Sequence, residues 1–181
     1  LYSLHIPNLE IRQCFSERIL NYLQSNPIIS NQTRELILGL FQGDTELVQN
    51  RLNKLLSRYV SIRDFASNSP RENYYHGFIN GLLINGSAEI CEQKSNLESG
   101  NGYVDLIVKS SAEPGTVVIL ELKQTPDVNK DKVPLAQDAL DQIIEMKYAD
   151  NYLTKNDVIN VFAFGVCFCR KECSVLCSRL K

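Results

Sequence analysis

Hydrophobic and polar positions follow two rhythms along this chain, and the change between them divides it. Up to about Phe65 the pattern is helical: Leu9, Ile11, Phe15, Ile19 and Leu23 recur near a helical period, as do Leu47, Arg51, Leu55 and Tyr59 with Val48, Leu52 and Leu56 alongside. Asp44 stands where the second series needs an N-cap. After the short break Ser67-Asn68-Ser69-Pro70 a helix is followed by shorter apolar runs. Ala88 to Lys94, Gly102 to Lys109, Val117 to Lys123 and Val158 to Cys169 read as strands. Between the last two, Leu135 to Asn151 reads as a helix whose Leu135, Ala139, Leu140, Ile143 and Ile144 form a stripe for packing on a sheet. The order from Ser69 is helix, three strands, helix, strand and a final short element, which predicts an α/β sheet flanked by helices with a helical N-terminal region. The expected organisation is 1–68 packed on a core of 69–181, with no internal repeat or long linker between them.

Charged residues interrupt this apolar pattern at one place. Asp105 sits inside Tyr103-Val104-Asp105-Leu106-Ile107-Val108, and the next run ends Glu121-Leu122-Lys123. Side chains alternate along a strand, so Glu121 and Lys123 share one face while Leu120 and Leu122 take the other. If Ser110 and Thr116 close a loop at Pro114-Gly115, antiparallel pairing sets Asp105 opposite Glu121. Two facing carboxylates in an apolar hairpin are costly unless a cation joins them, which points to a divalent metal site.

An acid on one strand and acid-x-lysine on the next resembles the PD-(D/E)XK nuclease superfamily. The likeness extends to Tyr74-Tyr75-His76-Gly77, to Glu98-Ser99-Gly100-Asn101-Gly102 and to Ala139-Leu140-Asp141-Gln142 through Lys147-Tyr148. These pieces are similar to the C-terminal nuclease domain of bacterial AAA-ATPase-like proteins, and Ile6 to Arg12 resembles the segment that links the two parts there. Tyr103 departs from the pattern, since family members often carry a basic residue at that point. The resemblance implies a restriction-endonuclease-like mixed sheet and a nuclease acting on nucleic acid, with DNA favoured over RNA. It further implies a Mg²⁺ or Mn²⁺ cofactor held by Asp105, Glu121, the Leu122 carbonyl and Glu72. Asp105, Glu121, Lys123 and Gln142 would be the catalytic set, with His76, Glu98 and Tyr148 touching substrate or supporting it. An upstream ATPase-like domain or a protein partner is the implied neighbour.

Each of these residues also has a plainer structural reading. Asp105 can be a solvated edge-strand acid, and Glu121 with Lys123 a surface ion pair. Glu72 closes an S-x-x-E capping box from Ser69 with Pro70 at the first helical position. His76 can fill space beside Tyr75, Glu98 can cap its glycine-bearing turn, Gln142 can face solvent and the Tyr148 ring can pack. Lys94, Lys109, Lys130, Lys132 and Lys147 are either a phosphate path or ordinary solvated charges.

The formal charge of −2 makes no general case for nucleic acid, so any such binding is local. Six cysteines in a chain with an ample core read as reduced thiols in a cytoplasmic protein, and Cys167 and Cys169 as members of a buried strand. No apolar stretch of about twenty residues predicts a membrane span. The chain begins at Leu1 rather than methionine, as a fragment would. A catalytically silent domain that binds a protein or nucleic-acid partner is the alternative to an enzyme, and a transposition or restriction component is a third reading.

Overall fold

The computed structural model describes residues 27–60, 71–84 and 88–181, with backbone alone for 27–30 and 71–72. The Leu9 to Leu23 series, the Ile6 to Arg12 segment and Ser69-Pro70 lie outside the described residues. Among the described residues two helices come first, α1 (Pro27–Gln42) and α2 (Thr45–Tyr59). Asp44 caps α2 as its side chain accepts from Leu47 N at 2.9 Å, which satisfies an otherwise unbonded first-turn amide. The face α2 buries is Val48, Leu52, Leu55 and Leu56.

Helix α3 (Arg71–Ile84) leads into β1 (Ile90–Ser99), β2 (Gly102–Ser110) and β3 (Gly115–Gln124). Then come α4 (Val133–Glu145), α5 (Asp150–Leu153), β4 (Val158–Cys169) and β5 (Glu172–Arg179). The strands form one sheet in sequence order. All neighbours are antiparallel except β3 and β4, which are parallel because α4 and α5 return the chain across one face between them. This is the mixed sheet flanked by helices that the sequence predicts. Helices α1 to α3 cover one face, over Leu106, Val108, Leu120, Leu122, Phe164 and Phe168. The other face carries Ile107, Val117, Ile119 and Ala163 under Leu140, Ile143, Tyr148 and Tyr152.

Three boundaries differ from the expected ones, each for a tertiary reason. β1 runs on to Ser99 because it pairs with β2 through polar positions as well as apolar ones, down to Ser99↔Gly102. The final short element is a full strand, β5, whose outer edge is closed by side chains of α2: Asn53 Oδ1 accepts from Cys173 N at 2.8 Å and Gln49 Oε1 from Val175 N at 3.0 Å. The long helix expected to Asn151 stops at Glu145. There the β1–β2 tip docks on it, Asn101 N donating to Met146 O at 2.9 Å, while Lys147 turns to φ 57°. Gly100 makes this docking possible, since it has φ 57° and a Cβ would lie 2.1 Å from Met146 O.

The buried stripe of α4 is also rotated from the expected one. Ala136, Ala139, Leu140 and Ile143 face the sheet, Leu135 is half-buried, and Ile144 is 50% exposed. Cys167, Cys169 and Cys173 are buried free thiols, and burial raises the Cys167 thiol to about 11. Among the described residues no helix is long and apolar enough to cross a membrane.

The close seat of α4 rests on Gly165 of β4, where a Cβ would lie 2.1 Å from Ala136 O and 2.6 Å from Leu140 N. Gly165→Ala must therefore lift α4 from the sheet. Urea unfolding is expected to show a loss of about 2 kcal/mol or more, the scale of overpacking a tight core. Unchanged stability would show that α4 has room to move.

Candidate active site

The site begins with an irregularity in β2. Pairing with β3 runs from Lys109↔Val117 to Leu106↔Leu120, and the next step in that register sets Asp105 opposite Glu121. The ladder stops before that pair. Instead the Asp105 carboxylate enters the gap, Oδ2 accepting from Leu122 N at 2.8 Å. On its other side β1 pairs through Ser95↔Leu106 and Leu97↔Val104, skipping Asn96, which has φ 50°. Val104 packs under α4 whereas Leu106 packs under α1 to α3, so the strand changes its facing at Asp105. The freed Asp105 carbonyl accepts from His76 Nε2 at 3.1 Å, and the same nitrogen lies 3.0 Å from Ser95 Oγ. A carbonyl can only accept, so this contact puts a proton on Nε2.

On β3, alternation places Glu121 and Lys123 beneath α4 while Leu120 and Leu122 enter the opposite core. Glu121 pairs across the sheet with Gly165, whose missing side chain lets α4 come near enough for Gln142 to reach both charges. Gln142 Oε1 accepts from Lys123 Nζ at 2.5 Å, and Gln142 Nε2 donates to Glu121 Oε1 at 2.6 Å. The Gln142 amide is thereby oriented, with its carbonyl to the cation and its NH₂ to the anion. Its second N–H points at Tyr148 Oη, 3.5 Å away, and that hydroxyl donates to Tyr103 O at 2.8 Å. Lys123 Nζ stands 3.5 Å from Glu121 Oε1 with its side chain part-exposed.

Glu121 is only 4% exposed, and its Oε2 is buried without a hydrogen-bond partner among the described residues. Burial, then the negative charge of Asp105, raises its carboxyl to about 7, against an opposing pull from Lys123. Asp105 is raised as well, by burial, with the Leu122 N–H bond and the positive fields of His76 and Lys123 acting the other way. A buried carboxylate whose ionisation the half-buried Asp105 opposes, with one oxygen that has no donor among the described residues, fits a hard divalent cation.

The structure thus brings together Asp105, Glu121, Leu122, Lys123, Gln142, Tyr148 and, through the Asp105 backbone, His76. Glu98 stands apart, exposed on β1 between Leu97 and Ser99, which turn to the α4 side. The backbone of Glu72 lies in the first turn of α3, before His76; its side chain is outside the described residues. Ser95, the Tyr103 carbonyl and Gly165 are contributors that sequence reasoning missed. Gly165 alone carried a signal, as a lone glycine among bulky residues of a buried strand.

An acid on one strand facing an acid and lysine on the next, on a helix-flanked mixed sheet, is the layout of a nuclease-type α/β domain. The chain belongs to the PD-(D/E)XK nuclease superfamily, whose family model matches residues 70–177, more than half of it. No match is found among curated proteins.

The raised Glu121 carboxyl has a consequence for the metal-free protein. Its folded value of about 7 lies above the unfolded value of 4.5, so this group stabilises the fold fully below about pH 4.5 and loses that contribution as pH rises to about 7. The full span corresponds to a few kcal/mol, on the order of 3. Glu121→Gln is therefore expected to gain thermal stability over wild type in EDTA as pH rises through that window, and no further above it. A pH-independent difference between the two would show that Glu121 ionises freely in the fold.

Proposed function

We propose that this domain is a Mg²⁺- or Mn²⁺-dependent phosphodiesterase that cleaves nucleic acid, with DNA as its preferred substrate. The observation that carries the reading is the buried Oε2 of Glu121, without a donor among the described residues and next to the Asp105 carboxylate, an arrangement with no structural benefit of its own. Asp105, Glu121 and the Leu122 carbonyl would hold the cation, with Glu72 as a further candidate from α3. Bound there, a divalent ion supplies positive charge to a phosphoryl oxygen and lowers the pKa of a water molecule.

The remaining chemistry belongs to the chain. Lys123 cannot ligate a cation as an ammonium; it offers its remaining N–H groups to the attacking water or to the charge that builds on phosphorus. Gln142 and Glu121 fix the ammonium in place, so little reorganisation is needed when the charge develops. Tyr148, anchored on the Tyr103 carbonyl, restrains the Gln142 amide in turn. His76 steadies the Asp105 backbone where β2 leaves the ladder. The likeness to domains that follow ATPase-like regions makes an upstream nucleotide-binding region the expected neighbour.

The test is cleavage of labelled single- and double-stranded DNA and RNA with Mg²⁺, Mn²⁺ or EDTA. Wild type should cut only with metal, and Asp105→Ala should not cut. Lys123→Ala should lose turnover by about 10² or more while its Mn²⁺ affinity changes far less, because the ammonium acts on the reaction and not on the ion. Wild-type turnover in Lys123→Ala would remove this role, and well-folded wild type that cuts nothing would favour the silent binding domain.

A further inference from the structure

The β4–β5 connection is a two-residue turn, Arg170-Lys171, closed by the pair Cys169↔Glu172. Arg170 sits at φ 52°, a conformation that suits glycine or asparagine and costs other residues. The turn is braced from the core side. Tyr75 Oη donates to Arg170 O at 2.8 Å, and the Tyr75 ring stacks on Phe168 with centroids 4.5 Å apart. A long cationic side chain is thus kept where the backbone favours none.

Beside this turn opens a cleft of about 330 Å³ lined by Val128, Lys132, Cys169, Arg170, Lys171 and Glu172. Among the described residues three cations meet one acid there, in a chain whose formal charge is −2. Their present bonds are slight. Lys132 Nζ lies 3.4 Å from Glu172 Oε2, on a side chain that is 71% exposed, and Lys171 Nζ donates to Ser57 O at 3.3 Å. Among the described residues the Arg170 guanidinium has no acceptor. Lys94 and Lys109, by contrast, are engaged by Glu92 and Asp157.

The cleft lies at the same end of the sheet as the carboxylates. Lys123 pairs with Cys167, and Cys169 is two residues further along β4, roughly 7 Å. Lys132 precedes α4 and Gln142 lies on it, separated by roughly 15 Å of helix. One helix therefore spans from the cleft to the reacting groups.

The geometry points to Lys132, Arg170 and Lys171 as a second phosphate-backbone site that grips the nucleic acid beyond the cleaved bond. It rests on the nucleic-acid reading above and deepens it: the recognised chemistry is phosphodiester oxygen, read without base identity. A polyanionic backbone presents several such groups along one path, which suits three cations spread over two loops.

The test is fluorescence anisotropy of labelled duplex and single-stranded DNA with the full chain in EDTA across a salt series. It compares wild type, the double variant Arg170→Gly with Lys171→Ala, and Lys155→Ala, which lies before β4 at the other end of the sheet. The double variant should bind more weakly, and its slope of log affinity against log salt should fall by about two, roughly one per lost phosphate contact. Lys155→Ala should leave the slope unchanged. Arg170→Gly alone relieves the φ 52° backbone, so its Tm should equal or exceed that of wild type, which separates lost binding from lost folding. An unchanged slope in the folded double variant, or no binding by wild type, overturns the cleft. Cutting with Mg²⁺, measured in parallel, separates the two readings: binding through the cleft without cutting rejects the nuclease alone, and cutting with an unchanged slope rejects the cleft alone.

Discussion

A carboxylate buried at 4% exposure, with one oxygen that has no donor among the described residues, is the constraint around which this domain is arranged. Left to itself, Glu121 opposes folding at neutral pH, since burial and the Asp105 charge both disfavour its ionised form. The surrounding elements offset part of that cost and no more. Gln142 donates to Oε1, Lys123 lends charge from 3.5 Å, the Asp105 backbone N–H also favours the ionised form, and Oε2 has no partner among the described residues. A fold that only needed stability would place an apolar residue there, as it does at Ile119 two positions earlier on the same strand face.

The geometry around Glu121 depends on two close approaches that small residues permit. Gly165, directly across from Glu121, lets the α4 backbone lie against the sheet, which is how Gln142 reaches two charges on β3. At the other end of α4, Gly100 lets the β1–β2 tip dock on Met146, and the chain then turns so that Tyr148 points back to Tyr103. The result is a continuous chain of donors and acceptors from Lys123 through Gln142 and Tyr148 to the backbone two residues before Asp105. Position in this site is set by hydrogen bonds between rigid elements, which is what preorganised catalysis asks of a scaffold.

Much of the architecture was legible because it is written in local pattern. The strands β2 to β4, the α2 cap at Asp44 and the helix between β3 and β4 all follow from periodicity and capping. The β2–β3 register followed from the loop, since Thr116 N is bonded to Ser110 Oγ at 2.8 Å and the ladder begins just inside it. What local pattern does not contain is the outcome of tertiary contact. The end of α4 is set by a hairpin from earlier in the chain, and the rotation of its buried stripe by the need to seat Ala136 over Gly165. The switch of β2 at Asp105 arises from a partner strand, with Asn96 at φ 50°, which no alternation rule reveals. The cleft beside Arg170 and Lys171 is likewise made by tertiary contact, since Val128 and Lys132 come to it from about forty residues earlier in the chain.

Asp105 and Glu121 are proposed to be held together for a divalent cation. The most direct measurement is calorimetric titration of Mn²⁺ into the protein at about pH 8, where Glu121 is ionised, for wild type, Asp105→Asn and Glu121→Gln. Saturable binding by wild type that is lost or at least about ten-fold weaker in both variants is the predicted result, as each removes one of the charges on which the site is built. Equal binding by all three proteins, or none by wild type, would contradict it.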